Sequence, residues 1–359
     1  MESFDPTESI EKAKSPSHTW YTDPQFYLQE RSVFEKNWMA VGRVDQLKNV
    51  GDYFTGEVLG NPFLVTKTES NKLKAFHNVC RHKAHPVAIG DGNCDNFICP
   101  YHGWTYNIDG KIKKTPHLGK IDNFCPKDFS LKECAIESWG PFLFIDLDAY
   151  WNNEIGLNKR DLHKDFNPIS TYLNELGVNE MKFYERRVYD MNCNWKVFVE
   201  NSLDGGYHVS YTHENLASGL EFSGYKTEIF ERASVQICDT SNKDVRLGSK
   251  VVYAWLFPNF FINRYGHMMD TNYVIPLGVD KCRVVFDFYF DYDNFDSWIN
   301  KKLMKKSIED SEAIQEEDIE VCEASQKGMG SMSFDYGKYS SKLEKAVHAF
   351  HVMLWRELN

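Results

Sequence analysis

The pattern of apolar and polar residues changes character three times along the chain. Between Pro24 and Lys36 the apolar members Phe26, Tyr27, Val33 and Phe34 recur at helical spacing, which predicts a helix within an N-terminal arm spanning residues 1–36. From Trp38 to about Asp148 the pattern breaks into short apolar runs separated by Gly, Asn and Asp, at 52–56, 63–67, 73–77, 104–107 and 142–146. Short strands at that spacing predict a small all-β barrel or sandwich over residues 37–150. A polar stretch at 150–167, rich in Asn, Lys and Asp, marks the expected boundary. The remaining region, 151–359, reads as α+β. A strand near 182–190 and a helix at 195–203 precede β-rich runs at 227–238, 250–257, 260–264, 271–276 and 282–291. Two helices, at 295–325 and 341–357, complete it, so one twisted antiparallel sheet covered by helices is the expected packing.

Composition narrows the function classes. At 42% hydrophobic and 26% charged, the 359 residues can bury a sizeable core, which excludes a disordered or fibrous protein. No run approaches the ~20 apolar residues of a membrane span. A net charge of −11 argues against a nucleic-acid partner and mildly suits a cationic one. The opening residues lack an apolar secretory core and are acidic where transit peptides are Arg-rich, so the expected address is the cytoplasm, or an organelle stroma if the chain is a processed form. Nine cysteines, an odd count, do not read as a secreted disulfide framework. Thiols kept reduced are available to metals.

Two constellations carry the chemistry. The first is Cys80-Arg-His82 followed, after sixteen residues, by Cys99-Pro-Tyr-His102. A structural Cys₂His₂ zinc site is one reading, but such sites usually pair Cys with Cys. Alternating Cys and His in both halves fits a Rieske [2Fe–2S] cluster, with two thiolates on one iron and two imidazoles on the other. Cysteines 94, 125, 134, 193, 238, 282 and 322 have no such partners and read as packing residues. The second constellation is Asp204-Gly-Gly-Tyr207-His208, with His213 five residues on. Two histidines at this spacing are a weak signal alone, and on a regular helix they would point about 140° apart, so the backbone must bend between them. Beside an electron-carrying cluster, they suggest two ligands of a mononuclear Fe(II) whose third is a carboxylate. In the acidic run from Glu309 to Glu323, Asp318 has Ile314, Val321 and Cys322 as helical neighbours and points inward. Glu316 points to water and Glu317 lies between. Asp204, one turn before His208, suits a carboxylate that accepts a hydrogen bond from the imidazole.

These motifs, in this order, resemble the Rieske non-haem iron oxygenases over nearly the whole chain, beginning at FYLQERSVFEKNWMAVGR (26–43) and including CPYHGWTYNIDGK. Within that superfamily, LDGGYHVSYTHENLASGL (203–220), RLGSKVVYAW (246–255), FPNFFINRYGHMMDTNYVIPLG (257–278) and EDIEVCEASQKGM (317–329) resemble the choline monooxygenase subfamily. The resemblance implies a Rieske domain followed by a helix-grip catalytic domain, assembled head-to-tail as a homotrimer. Electrons would pass from the cluster of one subunit to the iron of the next through Asp204, beside which Tyr207 is a candidate catalytic residue. The implied reaction uses O₂ and external electrons to hydroxylate choline to the hydrate of betaine aldehyde, with N-demethylation of glycine betaine or a related compound as the alternative. An electron-transfer Rieske protein without catalytic iron is the reading from outside the enzymes. Tyr211, Tyr253, Trp255, Phe261 and Tyr265 are candidates to face a quaternary ammonium, which cannot be hydrogen-bonded and is held on aromatic faces. No dinucleotide fingerprint is present, so a separate ferredoxin or reductase is expected to supply electrons. Two departures stand out. Lys83-Ala84 follows the first Rieske histidine where many superfamily members have Arg-Gly, and Gly205 stands where many place the bridging acid.

Overall fold

A computed structural model describes residues 4–148, 160–240 and 247–359. Most of the polar stretch expected as a boundary, 150–159, and Arg246 of one matching segment lie outside the described residues. The chain divides into two compact units, Phe34–Leu162 and a second made of the residues up to Val33 together with His163–Asn359.

The first unit holds β1 (Met39–Arg43), β2 (Asp52–Val58), β3 (Asn61–Lys67), β4 (Leu73–His77), β5 (Asp91–Asn93), β6 (Asn96–Ile98), β7 (Thr105–Asn107), β8 (Ile112–Lys114), β9 (Glu133–Trp139) and β10 (Phe142–Asp146). Seven strands pair in the order β1-β10-β9-β4-β3-β2-β5, and β6-β7-β8 form a separate small sheet. Leu64, Phe76, Phe97, Trp104, Tyr106 and Ile108 share one core with Cys80 and Cys99. Both cysteine motifs are therefore anchored in the packed interior, in the loops after β4 and after β6.

The second unit adds α1 (Thr19–Thr22) and α2 (Pro24–Glu35) ahead of α3 (Leu162–Glu175), β11 (Lys182–Met191), α4 (Trp195–Leu203), α5 (Val209–Thr212) and α6 (Glu214–Ala217). It continues with β12 (Leu220–Ile229), β13 (Ala233–Thr240), β14 (Lys250–Leu256), β15 (Phe260–Tyr265), β16 (Met268–Gly278), β17 (Lys281–Phe290), α7 (Trp298–Met329) and α8 (Lys345–Leu358). One antiparallel sheet runs β11-β17-β16-β15-β14-β13-β12. The run expected as one strand over 227–238 is a hairpin, turning at Phe230, whose N–H donates to the Ala233 carbonyl at 2.8 Å. No Gly, Pro or Asn marks that turn, so local pattern could not show it. The N-terminal segment is not a loose arm. Trp20 and Tyr21 are buried, and Glu30 on α2 forms a fully buried ion pair with Lys196 on α4, at 2.5 Å.

Candidate metal centres and substrate cavity

At the first centre each loop folds back on its own cysteine. The Ala84 N–H donates to the Cys80 carbonyl at 3.0 Å, and the Gly103 N–H to the Cys99 carbonyl at 2.9 Å. Both donors sit in left-handed backbone, with φ of 59° at Ala84 and 74° at Gly103. The rings of His82 and His102 come within 4.4 Å, and His82 stacks on Trp104 at 5.0 Å. The Cys80 and Cys99 side chains are buried, and Nδ1 of His82 is buried without a hydrogen-bond partner. An orphaned ring nitrogen and two buried thiols from the same two loops fit a cluster that draws one sulfur and one nitrogen from each loop. Burial pushes the Cys99 thiol above its ordinary pKa, a cost that metal ligation offsets. Tyr106, absent from the sequence reading, places its hydroxyl 3.4 Å from Cys80 Sγ while accepting the Arg81 N–H at 2.9 Å. Tyrosine in a β-strand reads as ordinary core, so only contact could reveal it.

The second centre forms where α4 ends. Gly205 and Gly206 both take positive φ, 71° and 72°, and turn the chain so that His208 starts the short helix α5. His213 ends it with φ −118° and ψ 69°, outside helical geometry. This break supplies the bend that a five-residue spacing needs. On α7 the buried residues are Met304, Ile308, Ser311, Gln315, Cys322 and Gln326, a stripe of three- and four-residue steps with one slot open. Asp318 occupies that slot. His208 Nε2 lies 3.2 Å from His213 Nε2, and Asp318 Oδ1 lies 3.5 and 3.1 Å from the two nitrogens.

The outer partners decide which atoms are free to ligate. His208 Nδ1 is 2.6 Å from Asp204 Oδ2, and His213 Nδ1 is 2.5 Å from Glu317 Oε2. Carboxylates only accept, so both Nδ1 atoms donate and both Nε2 lone pairs converge with Asp318 Oδ1. Three lone pairs aimed at one point repel unless a cation joins them, so His208, His213 and Asp318 would hold a metal ion. Without metal, burial opposes a proton on His213, but Asp318 and Glu317 outweigh it and hold its pKa above the ordinary histidine value. Asp204 also accepts the Tyr207 and His208 backbone N–H groups, at 3.1 and 3.0 Å.

A cavity opens beside this centre, with His208, His213, Asp318 and Asp204 in its wall. Of the aromatic candidates, Tyr253 and Tyr265 line it, and the sequence reading missed Tyr225, Phe198 and Phe286. Trp255 and Phe261 do not line it. They pair two rungs beyond the Tyr253–Asn263 rung of β14 and β15, where Phe350 of α8 and Phe198 of α4 cover them. Tyr211 is 88% exposed on α5, and Tyr207, in the turn before it, is exposed as well.

The family model described as "Rieske [2Fe-2S] domain" matches residues 37–125, and "Ring hydroxylating alpha subunit (catalytic domain)" matches 178–358. A quaternary ammonium Rieske monooxygenase, solved in complex with L-carnitine, shares the fold with a TM-score of 0.86 at 22% identity, over 100% of both chains. A choline monooxygenase of Arabidopsis thaliana is 42% identical over 99% of this chain and 85% of its own length. That of Beta vulgaris is 36% identical over 99% and 79%. The chain belongs to the choline monooxygenase family of Rieske non-haem iron oxygenases. It is an oxidoreductase that uses a Rieske cluster and a mononuclear iron.

Proposed function

We propose that this protein hydroxylates choline at its alcohol carbon. Choline, O₂, two electrons and two protons give the hydrate of betaine aldehyde and water, and the hydrate then loses a second water. Cys80, His82, Cys99 and His102 hold the cluster, and His208, His213 and Asp318 hold the iron. When bound, the iron supplies O₂ activation and the cluster supplies electrons. Domain assignments follow as 37–150 for the Rieske part and 151–359 for the catalytic part, with the N-terminal segment serving the latter. Asp204 orients His208 through Nδ1 and links the two centres within a head-to-tail homotrimer fed by a separate ferredoxin or reductase. The plant relatives named chloroplastic support an organelle-stroma address. No helix among the described residues is long and apolar enough to cross a membrane.

One observation carries the substrate reading. The described cavity wall holds three carboxylates, Asp204, Asp270 and Asp318, with three tyrosines and no Lys or Arg. A cation with a neutral tail fits such a wall. A zwitterion such as glycine betaine would bring a carboxylate with no basic partner among these residues, and an unpaired buried charge is costly. The test is product analysis of the holoenzyme supplied with a ferredoxin, its reductase and either substrate. Betaine aldehyde from choline, with no formaldehyde, is expected. Formaldehyde from glycine betaine, with choline untouched, would replace this reading by N-demethylation.

A further inference from the structure

The alcohol carbon of choline lies two bonds from its nitrogen, so the group that receives the ammonium must stand in the wall close to His208, His213 and Asp318. Tyr225 of β12 lines the cavity and meets that requirement. Strand β12 loses its register with β13 between Glu221 and Lys226, so residues 222–225 stand opposite Cys238 alone. A bulge of this kind re-aims side chains. Here it carries Phe222 and Tyr225 against Gly206, two residues before His208. A Cβ at Gly206 would stand 3.0 Å from Phe222 Cε1 and 3.3 Å from Tyr225 Cε2. The Tyr225 hydroxyl donates to Gln236 Oε1 at 3.1 Å, and Gln236 Nε2 donates to the Ser202 carbonyl in the last turn of α4, also at 3.1 Å. Burial pushes that hydroxyl well above its ordinary pKa, so it stays a neutral donor. The ring lies parallel to Phe222 within 8°, at 6.3 Å. Phe198 and Phe286 line the cavity too, but they are 2% and 8% exposed and pack against Phe261 and against Tyr189 and Phe288. Tyr225 is only half-buried.

We propose that Tyr225 is the specificity-determining ring of this cavity. It receives the quaternary ammonium end of the substrate, while the alcohol end turns toward His208, His213 and Asp318. A trimethylammonium group carries no N–H and forms no hydrogen bond, so it is held by electrostatic attraction and surface contact. An aromatic ring supplies both, because its face is negative and its surface apolar. The hydroxyl that makes Tyr225 polar is taken up by Gln236, and donating there makes the ring face more negative. The chain Tyr225–Gln236–Ser202 ties the ring to the end of α4, the helix that also delivers Asp204. The ring is therefore fixed relative to the turn that starts at Asp204 and leads to His208. Gly206 leaves the room for this approach, which a side chain at that position would close.

This inference rests on the quaternary ammonium reading, and the test separates the two. Choline and its neutral isostere 3,3-dimethylbutan-1-ol, with carbon in place of the cationic nitrogen, are titrated calorimetrically into the oxidised holoenzyme. The wild type is expected to favour choline, and Tyr225→Phe, which keeps the ring, should retain most of that preference. The same phenylalanine carrying three ring fluorines keeps the ring's outline but loses the negative charge of its face. It should lose about tenfold of the preference for choline, with the isostere bound within about twofold of Tyr225→Phe. Cluster spectrum and iron content should be unchanged. The carboxylates of the wall are the same in all these proteins, so the difference reports the ring alone. An unchanged preference in the fluorinated variant, or equal weakening of both ligands, would overturn the proposal. So would a wild type that binds choline no tighter than the isostere, which needs no variant at all. A wild type that demethylates glycine betaine and ignores choline would sink the choline reading. Tyr225 is then judged by the same variants with glycine betaine against 3,3-dimethylbutanoate, where an unchanged preference again overturns the proposal.

Discussion

At the scale of single residues, the two departures from the superfamily pattern have physical explanations. Ala84 takes a left-handed φ of 59°, a conformation that glycine adopts freely and alanine at a cost of about 1 kcal/mol. The turn is the same with either residue, so the loop after β4 keeps its course. Gly205 is different in kind. A Cβ there would stand 2.3 Å from the Leu343 carbonyl oxygen, and φ is 71°. No acid fits at 205, and the carboxylate that meets His208 comes from position 204. Gly205→Ala is expected to cost about 2–4 kcal/mol locally and to release the mononuclear iron while the cluster absorbance survives. Full iron content in that variant would refute the steric account. The acids of α7 give a second residue-scale prediction. After mild chelation, Asp318→Ala should lose the third iron, Glu317→Ala should hold it more weakly through His213, and exposed Glu316→Ala should match wild type. Loss confined to Glu317→Ala would move the ligand by one residue.

At the scale of elements, α2 and α4 are joined by the Glu30–Lys196 pair. Lys196 Nζ also donates to Asn194 Oδ1 at 2.8 Å, and the Trp195 indole N–H donates to Glu30 Oε2 at 3.0 Å. Burial pushes Glu30 above its ordinary pKa and Lys196 below its own, so each charge survives through the other. Removing one partner leaves a buried charge and should cost about 3–5 kcal/mol, whereas exchanging both for apolar residues should cost far less. Thermal unfolding of Glu30→Leu, Lys196→Met and the double variant forms a cycle that checks this. Additive losses would show that the pair is not coupled. The same helix α4 delivers Asp204 at its C-terminal end, so melting of α2 from α4 should reach the iron site.

At the scale of the whole molecule, each metal centre is assembled within one compact unit. Cys80→Ser or His102→Ala should therefore abolish the cluster spectrum while the mononuclear iron still loads. Iron analysis beside visible spectroscopy measures both at once, with three irons per chain in the wild type and about one in the variants. Loss of both centres from one substitution would show that the units fold only together.

How much of this was written in the sequence depends on the range of the interactions concerned. Strands β4 and β10 and helix α4 have the limits that their apolar patterning predicts, because alternation and helical periodicity are local properties. The Cys80–His82 and Cys99–His102 spacing belongs to short loops, so the chemistry is visible before the loops meet. Asp318 was singled out by its neighbours on one helix face, the same face that α7 buries. What periodicity could not supply is anything set by strand pairing or by contact between distant segments. The hairpin at Phe230 carries no turn residue, and the choice between Tyr253 and Trp255 depends on which rung of the sheet α4 and α8 leave uncovered. Asp270 shows the limit most clearly. In sequence it is one acid among 52. The donors Asn263, Tyr265 and Asn272 meet its carboxylate because of the register of β15 against β16.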